Sequence, residues 1–232
     1  MFFDLDLTSP LFWSAFGSIL LANVVLSGDN AVVIAMAARS LQPEQRNKAI
    51  FWGSAAAIVM RILLTIVAIR LLTLPFLKIV GAGLLAYIGI DLLTGEDDGD
   101  GDAKEINGMG SAIRTILVAD LVMSLDNVLA VAAAAKGNLP MLVIGLLVSI
   151  PLIIFGATLL TKVMERFPFI ITIGAGLLGF LAGEMLLTDP AVNTYLGEMS
   201  HQVVTIAGLI GAAFVVFVGR HLNQRHRVVA ET

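Results

Sequence analysis

Apolar runs of about twenty residues recur along this chain, near 12–38, 49–72, 76–94, 111–135, 139–163, 168–188 and 201–220. A helix needs about 20 mostly apolar residues to cross a bilayer. In hydrocarbon its backbone must bond to itself, which a helix does. The runs therefore predict an all-α polytopic membrane protein with seven transmembrane helices. Composition agrees: 58% of the 232 residues are hydrophobic and 14% are charged, against about 25% charged in an ordinary soluble domain. Mean hydropathy is +0.93. The net charge of -4 says little about partners, because several acids share one loop. Nothing in it suggests nucleic acid. With no cysteine, disulfides, thiolate metal sites and cysteine nucleophiles are excluded. The first run lacks a basic lead and a small-residue cleavage site, so it is expected to stay as a membrane helix.

Two of these runs carry nearly the same polar motif, Ser27-Gly28-Asp29-Asn30 and Ser124-Leu125-Asp126-Asn127. Aligning 19–39 with 116–136 gives ten identities in 21 positions. Gly81-Ala82-Gly83-Leu84-Leu85 recurs as Gly174-Ala175-Gly176-Leu177-Leu178, Asp91 matches Glu184, and Pro75 matches Pro168. A shared apolar bias would not place polar residues in register, so the pattern reads as a duplication. The organisation expected is a first three-helix repeat over 1–94, an acidic glycine-rich linker over 95–110, a second three-helix repeat over 111–188, and a seventh helix with a basic tail over 189–232. Three helices per repeat is an odd number, so the second copy enters the membrane from the other side. Such inverted repeats are a transporter architecture with the site near the midplane.

Orientation follows from the basic residues. With the N-terminus outside and the C-terminus cytoplasmic, the inner segments hold Arg39, Arg46, Lys48, Lys104, Arg114, Lys162, Arg166, Arg220, Arg225 and Arg227. The outer ones hold only Arg70, Lys78 and Lys136. The location expected is the inner (plasma) membrane, multi-pass. The stretch from Gly95 to Asp102 has the composition of a calcium loop but not EF-hand spacing, and reads as a solvated linker.

Ionisable residues inside spans are expensive and mark paths or sites. Asn23, Ser27 and Asn30 fall at i, i+4 and i+7, one helix face, and Asp120, Ser124 and Asn127 repeat that stripe. Asp29 and Asp126 sit one position before the asparagines. A local unwinding would turn them toward the same point, and Gly28 eases it in the first copy while Leu125 does not in the second. The donors are carboxylates, amides and hydroxyls, hard oxygen ligands suited to Mg, Ca or Mn. The three histidines, His201, His221 and His226, lie at a span edge or in the tail, which argues against zinc or copper. Three carboxylates, Asp29, Asp120 and Asp126, would offset a divalent charge, and could take up protons when empty. Asn23 alone reads better as interhelical hydrogen-bond glue. Asp91 and Glu184 lie near span ends, as interfacial residues or as gates at opposite mouths. Arg61 either pairs with a buried acid or snorkels along its helix, and its place halfway along the span favours pairing. Gly81, Gly83, Gly174 and Gly176 are expected to allow close helix packing.

The paired motif, with Ala31-Val32-Val33-Ile34-Ala35 after the first copy and Asp120-Leu121-Val122-Met123 before the second, resembles the signature of the TerC family of integral membrane proteins, in its short seven-span YjbE-type form. The resemblance covers nearly all of the chain. It implies membership of the lysine-exporter-like superfamily and efflux of metal cations, chiefly manganese, with Asp29, Asn30, Asp120, Asp126 and Asn127 as the metal path. Many relatives have an acid where this chain has Asn23, which lowers the charge of the first half-site here. The function expected is a secondary transporter exporting Mn(II), with no prosthetic group, the lipid bilayer around it, and a homo-oligomer compatible with the sequence. No Walker A motif argues for ATP drive, and no nucleophile–base pair argues for an enzyme. The competing readings are an exporter of a small organic cation or amino acid, and a non-transporting membrane partner that loads metal into exported enzymes.

Overall fold

The computed structural model describes Trp13, Phe16, Gly17, Leu21 and residues 28–71, 74–94, 103–134 and 139–230, with side chains outside 66–71, 103–107, 126–134, 139–142 and 225–230. These residues are all-helical apart from turns. We label the helices α1 (Gly28–Ala38), α2 (Pro43–Leu71), α3 (Leu77–Thr94), α4 (Ala103–Ala134), α5 (Leu139–Arg166), α6 (Phe169–Leu187), α7 (Pro190–Leu196) and α8 (His201–Ala230). Among the described residues there is no strand.

Six helices contain a stretch long and apolar enough to cross a membrane: α2, α3, α4, α5, α6 and α8. They correspond to the second to seventh runs read from the sequence. Much of the first run lies outside the described residues, and its described part is the 11-residue α1. Helix α4 takes in 103–110, the latter part of the segment read as linker, while 95–102 lie outside the described residues. The outer faces are apolar rather than charged. Tyr87, Phe155, Ile210 and Phe217 are all exposed, and such a surface is stable only against lipid or other apolar groups.

Helix α1 occupies the centre. Eight of its eleven residues are buried, from Asn30 to Ala38 with the exception of Val32. Ile34, Ala37 and Ala38 pack with Ile50 and Ile58 of α2, Ile116 of α4 and Leu146 and Ile153 of α5. Val33 packs on another side with Leu85 of α3, Val122 of α4 and Leu178 of α6. Small residues in α1 are what allow so many neighbours to approach.

Glycines set the closest approaches. In α6 and α8, a Cβ on Gly183 would fall on the backbone of Ala207 and Gly208, and one on Gly179 would fall on the Gly211 carbonyl. This small-xxx-small spacing brings backbones into contact. Gly81 meets Val122, and Gly174 meets Met36 and Val32, both tightly. Gly83 corrects the sequence reading, because nothing lies within 4 Å of its would-be Cβ. Two helix positions apart means about 200° of rotation, so Gly81 and Gly83 cannot face the same neighbour.

The bundle has two distinct ends. At one, arginines and an asparagine cap helix C-termini. Arg46 bonds the carbonyls of Arg39 and Leu41 just past α1 and pairs with Glu165 of α5 at 2.5 Å. Arg39 donates to the Leu92 carbonyl, and Asn223 of α8 to that of Leu93, both in the last turn of α3. At the other end an aspartate caps helix N-termini. Asp189, with a fully buried side chain, accepts from Ala191 N at 2.7 Å in α7. It also accepts from Phe76 N, Lys78 N and Ile79 N at 3.0, 3.0 and 3.3 Å at the start of α3. Phe76 is held there at φ 68°, a conformation costly for a bulky residue. Burial alone would raise the Asp189 pKa, but the four N–H bonds, from Ala191, Phe76, Ile79 and Lys78, outweigh it and hold it below the ordinary 3.8.

Helix directions follow from these ends. Helices α1, α3 and α5 run toward the arginine end, and α2, α4 and α6 run away from it.

Candidate functional site

Helices α2 and α4 run in the same direction and touch at Gly53, whose Cβ would lie 2.8 Å from Ile116 Cδ1. That contact brings Arg61 beside Asp120 and Ser124, two turns farther along α2 and one to two along α4. The three side chains form a closed ring. Arg61 Nη2 donates to Asp120 Oδ1 at 2.5 Å, and Arg61 Nε donates to Ser124 Oγ at 2.9 Å. The Ser124 hydroxyl in turn donates to Asp120 Oδ2 at 3.2 Å. Ser124 reaches Asp120 because four residues is one helical turn.

The ring is cut off from solvent. Arg61 is 2% exposed, Asp120 6% and Ser124 0%. Taking two charges out of water costs several kcal/mol per ion, which their attraction repays only when geometry and extra hydrogen bonds are good. Here both carboxylate oxygens are engaged. The partners are nonetheless side chains, whose rotamers can change while the helices stay in place.

One residue of the first motif lies near this centre. Asp29, half-buried at the start of α1, lies within electrostatic reach of Arg61 and Asp120, and its Oδ1 accepts from Asn30 N at 2.8 Å. Asn30 beside it is buried. Two residues of the second motif, Asp126 and Asn127, lie on α4 six and seven positions after Asp120, and their side chains are outside those described. The helix runs unbroken through them from Ala103 to Ala134, so the second motif does not unwind; Leu125 offers no glycine-like freedom. Asn23 and Ser27 lie outside the described residues. Among the described residues no three of His, Asp and Glu converge as a ready metal cluster.

A cleft of about 500 Å³ opens at the arginine end. It is lined by Met36, Arg39, Asp91, Ser111, Thr115 and Glu165 among others. Thr115 precedes Asp120 by five residues on the continuous α4, about 7.5 Å of helix rise. Between cleft and ring on α2 stands Ser54, whose buried hydroxyl has no hydrogen-bond partner among the described residues. Asp91 thus lines the cleft, half-buried. Glu184 lies near the opposite end, where its carbonyl accepts from Thr188.

Sequence reasoning missed Asp189, Ser54 and the Arg46–Glu165 pair. For Asp189 a signal existed: aspartate directly before Pro190 is an N-cap followed by proline at N1. Its second role, capping α3 from more than a hundred residues away, had none.

The chain is 42% identical to the Bacillus subtilis (strain 168) protein described as uncharacterized membrane protein YjbE, over 87% of this chain and 92% of that one. It is 26% identical to YceF of the same organism, described in the same way, over 97% and 89%. A further similarity, 25% identity, is to the UPF0053 inner membrane protein YoaE of Escherichia coli (strain K12), over 72% of this chain and 36% of that one. No solved structure matches. The sequence profile of the integral membrane protein TerC family matches residues 8–227. A match of that length, on an integral membrane protein built of apolar helices, places the chain in the TerC family.

Proposed function

We propose that this protein is a secondary transporter that exports a divalent metal cation, Mn(II), across the inner membrane. One observation carries the reading: Asp120 is a carboxylate buried at mid-span, held among the described residues by side chains, with Asp29 of the other motif within electrostatic reach of it. A buried acid in a membrane helix with replaceable partners suits a site that trades one cation for another. On this reading Asp29, Asn30, Asp120, Asp126 and Asn127 supply hard oxygen ligands, with Asn23, Ser27 and Ser124 in support.

The two motifs would belong to inverted repeats. Support comes from helix direction: α1 opposes α4, α2 opposes α5 and α3 opposes α6. The arginine-capped end would face the cytoplasm, following the distribution of basic residues. The cleft there would be the inner mouth, with Asp91 as its gate residue and Glu184 at the outer mouth.

The test is flux through purified protein in liposomes, across a panel of divalent metals. Mn(II) movement is expected in the wild type, and its loss in Asp120→Asn. Absence of flux for every metal, with the protein folded, would defeat the reading. A second reading draws on the size of the cleft, about 500 Å³ and part-lined by Met36, Leu92, Met164 and Ile171. That space would hold a small organic cation or amino acid, and flux of such a solute without metal flux would favour it.

A further inference from the structure

A guanidinium in the middle of a cation's path is a chemical contradiction. It stays charged and would repel a metal ion at close range. Yet Arg61 sits against the acid best placed to bind one, and contacts that acid through its own terminal nitrogen. The ring leaves neither Asp120 oxygen idle, since Oδ1 faces Arg61 and Oδ2 faces Ser124. A divalent ion at Asp120 would have to compete with that charge for both oxygens and be repelled by it at close range.

We propose that Arg61 is a tethered cation that occupies Asp120 whenever metal does not, so that metal binding and the Arg61–Asp120 bond exclude one another. The proposal rests on the transporter reading and adds to it how the empty carrier returns. An unloaded site with bare carboxylates would be costly to move through a low-dielectric barrier. With Arg61 on Asp120 the unloaded site has its compensating charge built in. Loading breaks that bond and puts the metal where the guanidinium was. Ser124 serves both states, because its hydroxyl donates to Asp120 and accepts from Arg61, and one rotation releases either.

The proposal separates two kinds of transport. Metal-for-metal exchange uses only the loaded carrier, whereas net efflux also needs the empty one to return. Liposomes holding wild type, Arg61→Gln or Arg61→Lys would be assayed for both, using radioactive Mn(II) at equal concentrations for exchange and an outward gradient for net flux. Mn(II) binding to the detergent-purified proteins would be measured in parallel. Arg61→Gln is expected to bind Mn(II) about tenfold more tightly, since its competitor is gone, to keep exchange within about threefold, and to lose net flux by at least tenfold. Arg61→Lys keeps the charge but cannot hold Asp120 and Ser124 together, so its ratio of net flux to exchange is expected to fall at least threefold. It decides the matter if the glutamine variant does not fold. Loss of binding and exchange together with net flux in a folded variant, or an unchanged ratio in both variants, would overturn the proposal. Wild type that neither binds nor moves Mn(II) would overturn the transporter reading itself, and this proposal with it.

Discussion

Asp120 and Asp189 are both buried aspartates in an apolar protein, held by different kinds of partner. Asp189 receives four backbone N–H groups from the starts of α3 and α7. None of those donors can leave without moving a helix. Asp120 receives one guanidinium and one hydroxyl, both on side chains. Those donors can turn away and return. A buried charge fixed by backbone joins elements permanently; one fixed by side chains is free to exchange partners. Burial alone would have ranked the two alike, or put Asp189 first.

The sharpest way to break this comparison is to remove each acid and try to compensate. Asp120→Leu leaves Arg61 buried without its hydrogen-bonded counter-charge and should cost about 3–5 kcal/mol. Adding Arg61→Met should restore stability to within about 1 kcal/mol of wild type, because an apolar pair often replaces a buried ion pair without loss, while metal flux stays absent. Thermal unfolding in detergent measures the first part and liposome flux the second. If the double variant stays as unstable as the single one, the ring is scaffold and the contrast with Asp189 disappears.

Asp189→Ala should cost at least about 3 kcal/mol, since a bond to a charged group contributes about 1.5–3 kcal/mol and four donors lose their acceptor, though water can reach the freed helix starts. No single partner substitution should recover it. Acid sharpens the point. The folded pKa of Asp189 lies below the ordinary 3.8. Its contribution is therefore fully present above the unfolded value and is lost as pH falls through the folded one. The melting difference between wild type and Asp189→Asn should be constant near neutrality and shrink once pH drops below about 4. A difference that grows on acidification would mean that the carboxylate is not what the N–H groups need.

Smaller effects should separate the glycines. Gly183→Ala drives a methyl into the backbone of Ala207 and should cost about 1–3 kcal/mol. Gly83→Ala meets open space and should shift stability by no more than about 0.5 kcal/mol. Equal melting shifts would show that the α6–α8 contact is looser than its geometry.

The spans were legible because twenty apolar residues in a row leave a membrane chain one backbone solution. Arg61 was legible as one half of an ion pair, since a charge at mid-span needs a partner. Its partner was not, because Asp29, Asp120 and Asp126 are equivalent by composition, and only the crossing of α2 and α4 at Gly53 and Ile116 selects Asp120. The glycine reading failed at Gly83 for a related reason. A Gly-x-Gly pair looks like a packing motif on paper, but its two positions face different ways, whereas Gly179 and Gly183, four apart, share a face. Trans-capping by Asp189 depends on how α6 ends relative to where α3 begins, and no local pattern carries that.

The central position of α1 sets an order for making the protein. Of the helices that enclose it, α2 is synthesised next, but α4, α5 and α6 all come after residue 102. A nascent chain halfway out of the ribosome therefore holds an alanine-rich segment, carrying Asp29 and Asn30, that has only part of its burying partners. It must wait at the translocon or in the lipid until the second half arrives and closes around it. Maturation is then all-or-nothing for the first motif, and a chain truncated after α3 should be a substrate for membrane proteolysis rather than half a transporter.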